Sequence, residues 1–134
     1  MADLGTLHEF ARRYTDAWCS GDPARVAAHY ATGGSLTINQ GAPAIGRPAI
    51  KEAAEGFMVA FPDLRVEMDE LRIQGATPEY HWTLTGTNIG PGGTGRPVRI
   101  SGFEEWTIGD DGLIAASLGH YDQADWDLQV SGRR

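Results

Sequence analysis

The run Gly119-His120-Tyr121-Asp122-Gln123-Ala124-Asp125-Trp126 gathers an imidazole, carboxylates and two aromatic rings into one short stretch behind an apolar hairpin. A carboxylate beside aromatic rings and poor in water has its pKa raised towards neutrality, and a group so placed can both take and give a proton. Proton transfer is the chemistry these residues point to, with Asp122 as acid/base. His120 and Asp122 stand two apart, so in an extended strand they share a face about 7 Å apart, close enough for a common substrate or a bridging water, with His120 as partner or donor. The competing structural reading has Asp122 cap the strand exit and His120 pack against Phe103.

Other side chains offer a pocket for that chemistry. Glu104 and Glu105 are consecutive in a strand pattern and point to opposite faces, and parity groups Glu104 with the apolar Ile100 and Trp106. A carboxylate in such a set needs a partner or a proton; Glu104 either binds substrate or pairs with an arginine such as Arg99 or Arg72, and the spacing leaves open which of the two glutamates faces the cavity. Trp82 shares its face with Tyr80 and Leu84 and reads as wall. Tyr14 lies on an apolar helical stripe, where its hydroxyl either reaches a substrate carbonyl or bonds a core neighbour. Trp18, Phe57, Phe61 and Trp106 complete the expected substrate-binding wall, and Asn39 faces either solvent or pocket. No metal is expected: the four histidines lie on different elements with no i, i+4 pair, and Cys19 is the only cysteine, read as a packed thiol. Gly90-Pro91-Gly92-Gly93-Thr94-Gly95 lacks the Lys-Ser/Thr of a phosphate loop and reads as a mobile hairpin loop at the rim.

The totals narrow the class. A chain of 134 residues reads as a single domain, 1–134, long enough to hide roughly two-thirds of its unfolded surface. A net charge of −7 with scattered basic residues argues against non-specific nucleic-acid binding. Met1 to Phe10 does not read as a signal peptide, and no stretch approaches about 18 apolar residues, so a soluble cytoplasmic protein is expected.

These residues need elements to position them. Leu4, Leu7, Phe10, Ala11, Tyr14, Ala17 and Trp18 recur at helical spacing, predicting a helix over 3–19 with Asp3 as N-cap. Asp22-Pro23 opens a short second helix ending near Tyr30, and Arg47-Pro48 a third over 47–60, closed before Phe61-Pro62. Strands are expected over 35–40, 64–73, 79–88, 98–108 and 113–121, with a phase slip at Asp69-Glu70 that predicts a bulge and a hairpin at Gly109-Asp110-Asp111-Gly112. The order is α+β: a curved, mostly antiparallel sheet wrapped round N-terminal helices, a half-open cone with its cavity between them. Trp and Phe residues on the outer sheet face would leave an apolar patch that a homodimer could cover.

Several of these segments together resemble the SnoaL-like polyketide cyclases of the nuclear-transport-factor-2-like superfamily, whose members have cone-shaped (cystatin-like roll) α+β folds. They are Tyr14…Trp18 before Gly21-Asp22, Gly46-Arg47-Pro48-Ala49-Ile50, Ala60-Phe61-Pro62-Asp63-Leu64, Trp82…Gly86-Thr87-Asn88-Ile89-Gly90, Thr94-Gly95-Arg96-Pro97-Val98, Asp111-Gly112-Leu113-Ile114, and Asp122 with Leu128-Gln129. The resemblance implies a cofactor-free intramolecular aldol closure of a hydrophobic carbonyl compound, with Asp122 at the family's acid/base position. The chain departs from the family at Asn88, where a His is usual, at Leu118, where a Trp is usual, and after Asp122. Alternatives within the fold are a ketosteroid-isomerase-like isomerase, an epoxide hydrolase using Arg99 with Asp122, and a non-catalytic protein that binds a hydrophobic ligand.

Overall fold

The computed structural model describes residues 4–75 and 77–132; Asp3, the expected first cap, lies outside them. Helix α1 spans Leu4–Cys19 and turns Leu7, Ala11, Tyr14, Ala17 and Trp18 into the core, as its stripe predicts. Helix α2 (Pro23–Ala27) begins as expected, the Asp22 side chain accepting from the Ala24 N–H at 3.0 Å. It stops earlier than expected, because Tyr30 already belongs to strand β1, Tyr30–Ile38. Gly33-Gly34 reads as a break in the sequence but lies inside this strand. A Cβ on Gly34 would sit 2.7 Å from the Ile114 carbonyl, and the β1–β6 register shifts between Tyr30 and Ser35. The glycine therefore serves a close strand approach.

The two-residue strand β2 (Ala44–Ile45), within an expected loop, pairs with β1. Helix α3 (Arg47–Ala60) follows, then β3 (Arg65–Gln74), β4 (Thr77–Thr87), β5 (Pro97–Ile108), β6 (Ile114–His120) and helix α4 (Gln123–Ser131). The strands form one sheet in the order β2-β1-β6-β5-β4-β3. All neighbours are antiparallel except β1 and β6, so the α+β expectation holds. The predicted bulge is present: the β3–β4 register shifts between Met68 and Glu70.

Helix α4 was not expected. Its apolar residues Trp126, Leu128 and Val130 recur every second position, a strand period and not a helical one. Local chemistry makes the helix instead. Asp122 is the N-cap, its carboxylate accepting from the Asp125 N–H at 3.0 Å, and Gly132 closes the far end in the left-handed region at φ 72°.

The glycine-rich rim loop is tied at its base: buried Asn88 bonds Arg96 and Gly95 through its backbone, and its side chain accepts from the Thr94 N–H at 2.7 Å. Among the described residues the outer sheet face carries no Trp–Phe patch, contrary to expectation. Trp18 and Trp106 are buried, Trp82 faces inward and Trp126 lies on α4, while Phe103 outside is flanked by His81 and His120. Among the described residues no helix is long and apolar enough to cross a membrane.

Candidate active site

Strand parity turns Ile100, Glu104 and Trp106 of β5 inward, and all three are buried. Among the described residues no arginine pairs with the Glu104 carboxylate. Arg72 pairs with Glu70 at 2.8 Å, and the backbone of Arg99 is engaged by Gln129. Glu104 is held by neutral donors: Oε1 accepts from Ser117 Oγ at 2.8 Å, Trp106 Nε1 at 2.9 Å and the Tyr14 hydroxyl at 3.0 Å. Oε2 meets only the same Tyr14 hydroxyl, at 3.3 Å. Tyr30 supports Tyr14, their hydroxyls 2.8 Å apart; since the Tyr14 hydrogen goes to Glu104, Tyr30 donates.

Burial raises the pKa of Glu104, and the bonds from Trp106, Ser117 and Tyr14 oppose the rise. Desolvating a carboxylate costs several kcal/mol, while each bond to a charged acceptor returns roughly 1.5–3 kcal/mol. Burial is the largest influence, so the pKa stays above the usual carboxylate value, and Oε2, with its single long contact, is the oxygen open to a proton. Burial raises Tyr14 and Tyr30 well above the usual phenol range, aided by the Glu104 charge, so both remain neutral hydroxyls.

Above this carboxylate lies a cavity of about 60 Å³ between sheet and helices, with Glu104 in its lining. Five lining rings follow one another in contact: Trp18 to Phe57 (centroids 6.1 Å apart), Phe57 to Trp126 (6.0 Å), Trp126 to Tyr121 (5.8 Å) and Tyr121 to Trp82 (6.0 Å). Tyr80 stacks on Trp106 at 5.0 Å and 15°, and its hydroxyl is 2.6 Å from Thr15 Oγ. The Trp82 ring lies where β5 has Gly102: a Cβ there would be 2.7 Å from Trp82 Cζ2 and 2.3 Å from the His120 carbonyl. The rings of Phe57 and Trp126 also wall an outer groove of about 370 Å³ beside α3 and α4.

Of the sequence-predicted site residues, Trp18, Phe57, Trp82 and Glu104 line the cavity. Tyr14 and Trp106 are buried behind it and hold Glu104. Phe61 lines the outer groove. Asn39, at φ 55°, fastens α4: its side chain accepts from the Tyr121 N–H at 2.9 Å and donates to Gln123 at 3.1 Å. Asp122 and His120 must be corrected, because neither lines the cavity. β6 ends at His120, and the chain turns there into α4, leaving Asp122 exposed as a helix cap. The pair therefore shares no strand face, and no Arg99–Asp122 site forms in the cavity. His120 is on the outer face, 2.6 Å from Glu105 and packed on Phe103. Sequence reasoning missed Tyr80, Tyr121 and Trp126 as wall residues; Tyr80 shares the inward parity of Trp82, a signal present in the sequence. Among the described residues no cluster of His, Cys, Asp and Glu could hold a metal ion.

Helix α4, which brings Trp126 to the cavity, has no fully buried residue. Polar latches hold it: Gln129 accepts from the Arg99 N–H at 2.6 Å and donates to its carbonyl at 2.9 Å, and Thr94 Oγ donates to the Val130 carbonyl at 2.6 Å.

Comparison with known proteins places this architecture. No curated protein matches the chain significantly. Solved structures match over most of their length. A Jannaschia sp. CCS1 protein assigned to the SnoaL-like polyketide cyclases has TM-score 0.78 and 18% identity, over 95% of this chain and 92% of that one. A protein of ketosteroid isomerase-like fold from Catenulispora acidiphila, solved with trimethylamine, has TM-score 0.80 and 15% identity, over 92% of each chain. The epoxide hydrolase/cyclase-like enzyme SalBIII, of pyran ring formation in the polyether salinomycin, has TM-score 0.80 and 17% identity, over 93% of this chain and 97% of that one. At such identities the likeness is one of fold, the ketosteroid isomerase-like α+β cone. The family model of the SnoaL-like domain matches residues 11–117, from within α1 to within β6, and the chain belongs to the SnoaL-like domain family.

Proposed function

We propose that this protein catalyses cofactor-free acid/base chemistry on a small hydrophobic carbonyl compound, with Glu104 as the proton-transfer group. One observation carries the reading. Glu104 is a buried carboxylate in an aromatic cavity, its Oε1 saturated by three donors and its Oε2 left with a single long contact. A carboxylate fixed this way is oriented for its substrate without being used up by its partners. Its raised pKa suits a group that removes a proton from carbon and returns it elsewhere.

Intramolecular aldol closure and double-bond isomerisation both begin with that step. The cyclase and epoxide hydrolase/cyclase-like structures of the same fold support chemistry of this kind. The cavity takes a small apolar reacting group beside Glu104.

Hydrogen exchange tests the reading without the natural substrate. Indan-2-one, an enolisable ketone with an aromatic body, is incubated with the protein in heavy water and its α-protons are followed by NMR. The wild type accelerates exchange and Glu104→Gln returns it to the buffer rate. Wild-type exchange at the buffer rate would contradict the proposal and favour a protein that only binds its ligand.

A further inference from the structure

We infer that the rings of Phe57 and Trp126 form the partition that sets the length of ligand the site accepts, confining it to compact bicyclic ketones; this rests on the acid/base reading above for the position of the reacting carbon. Among the described residues, Phe57 of α3 and Trp126 of α4 are the two that line both the cavity and the outer groove. Their rings meet edge to face, with centroids 6.0 Å apart and planes at 77°. Cavity and groove therefore lie on the two sides of one layer of side chain.

What lies behind each wall decides which one yields. Most of the cavity lining belongs to strands, such as Val66, Leu84 and Ile100, and these are buried in the core. A strand recedes only by breaking its ladder. Glu104 itself is anchored by Tyr14, Trp106 and Ser117, all fully buried and none bordering the groove. Behind Phe57 and Trp126 there is space instead. Helix α3 turns Ala53, Gly56 and Ala60 to the groove, small residues that recur on one helical face, and a Cβ at Gly56 would meet nothing within 4 Å.

The partition is also separable from the fold. Helix α4 is held near both ends by bonds that do not involve Trp126: Asn39 to Tyr121 and Gln123 at one, and Gln129 to Arg99 and Thr94 to Val130 at the other. Removing the Trp126 ring leaves those bonds in place and joins the cavity to the groove.

The test pairs indan-2-one with benz[f]indan-2-one, the same enolisable head lengthened by one fused ring, and uses their hydrocarbons indane and benz[f]indane as binding probes. Exchange of the α-protons in heavy water is followed by NMR, and hydrocarbon binding by calorimetry. Wild type should exchange the short ketone and leave the long one at the buffer rate. Trp126→Ala, and Phe57→Ala as a second opening made from α3, should each exchange the long ketone at least about tenfold faster than wild type, the low end of what one methylene changes in an apolar pocket. Adding Gly56→Leu to Trp126→Ala refills the groove and should cancel the gain, whereas Gly56→Leu alone should leave indan-2-one exchange unchanged. Binding measured in a Glu104→Gln background takes catalysis out of the comparison: indane should bind with the partition intact, and benz[f]indane only once Trp126 or Phe57 is Ala. That binding pattern without any ketone exchange in the wild type would count against the Glu104 reading and not against the partition. Wild type that takes the long compounds as readily as the short, or rejection of benz[f]indane by both opened variants, would overturn it.

Discussion

The Tyr14 hydroxyl of α1 lies 3.0 Å from Oε1 of Glu104 on β5, ninety positions away in the chain. This contact ties the first helix to the centre of the sheet and is one of the bonds that hold the Glu104 pKa down. Tyr14→Phe should therefore push that pKa further up. The pH profile of proton transfer should move to higher pH, while the lost bonds to Glu104 and Tyr30 cost about 1–3 kcal/mol of stability. Exchange rates measured against pH, beside a denaturant melt, check both.

Glu104 also leaves a signature in stability. Its folded-state pKa is raised, so between the unfolded and folded values the folded protein keeps a proton that the unfolded chain has released. The stability from this group is full below the unfolded pKa and is lost as pH rises through the folded one. Glu104→Gln should remove that decline. Asp63 and Glu70, whose pKa values are lowered by bonds from Thr87 and Arg72 respectively, act in the opposite sense, gaining as pH rises through the acid range. The quantity to measure is thus the difference between wild-type and Glu104→Gln unfolding free energies across pH.

Two glycines on the inner face should respond differently to a methyl group. Gly102→Ala places Cβ 2.3 Å from the His120 carbonyl and 2.7 Å from Trp82 Cζ2, so backbone must shift. A loss of about 1–3 kcal/mol is expected, with a displaced Trp82. At Gly119 the nearest atoms are the Thr37 carbonyl at 3.5 Å and Glu104 Cγ at 3.8 Å, ordinary contacts. Gly119→Ala should melt near the wild type yet bind indan-2-one more weakly, since the methyl enters the cavity beside the carboxylate. Thermal melts and ketone titrations separate the two variants.

Helix α4 should be the loosest wall of the site. It buries no residue fully and is held by the Gln129–Arg99 pair and the Asn39 contacts. Gln129→Ala should lower amide exchange protection in α4 selectively, by about tenfold if one net bond is lost, and leave the β4–β5 amides unchanged. Uniform loss across the sheet would show that α4 is part of the core.

What was legible in the sequence was whatever local period encodes. The α1 stripe, the Asp22-Pro23 and Arg47-Pro48 helix starts, the slip at Asp69-Glu70 and the grouping of Glu104 with Ile100 and Trp106 each depend on residues a few positions apart, although that grouping left open which of Glu104 and Glu105 faces the cavity. The partners of Glu104 do not: Tyr14 and Ser117 come from α1 and β6, and only the folded sheet brings them to Trp106. Asp122 was misplaced because an aspartate after an apolar strand resembles the family's acid/base position. A local signal of its true role was present, an Asp opening a polar run of helix formers, which is an N-cap pattern. It competed with the strand-like alternation of Trp126, Leu128 and Val130, and capping prevailed.

The central claim is that Glu104, and not Asp122, moves the proton. It is tested most directly by comparing the indan-2-one exchange rates of Glu104→Gln and Asp122→Asn at one pH, with the asparagine chosen because it also caps helices. The account predicts exchange at the buffer rate for Glu104→Gln, a fall of about 10²–10⁴-fold where acid/base catalysis is the whole effect, and near-wild-type exchange for Asp122→Asn. Exchange that survives in Glu104→Gln and vanishes in Asp122→Asn would contradict it.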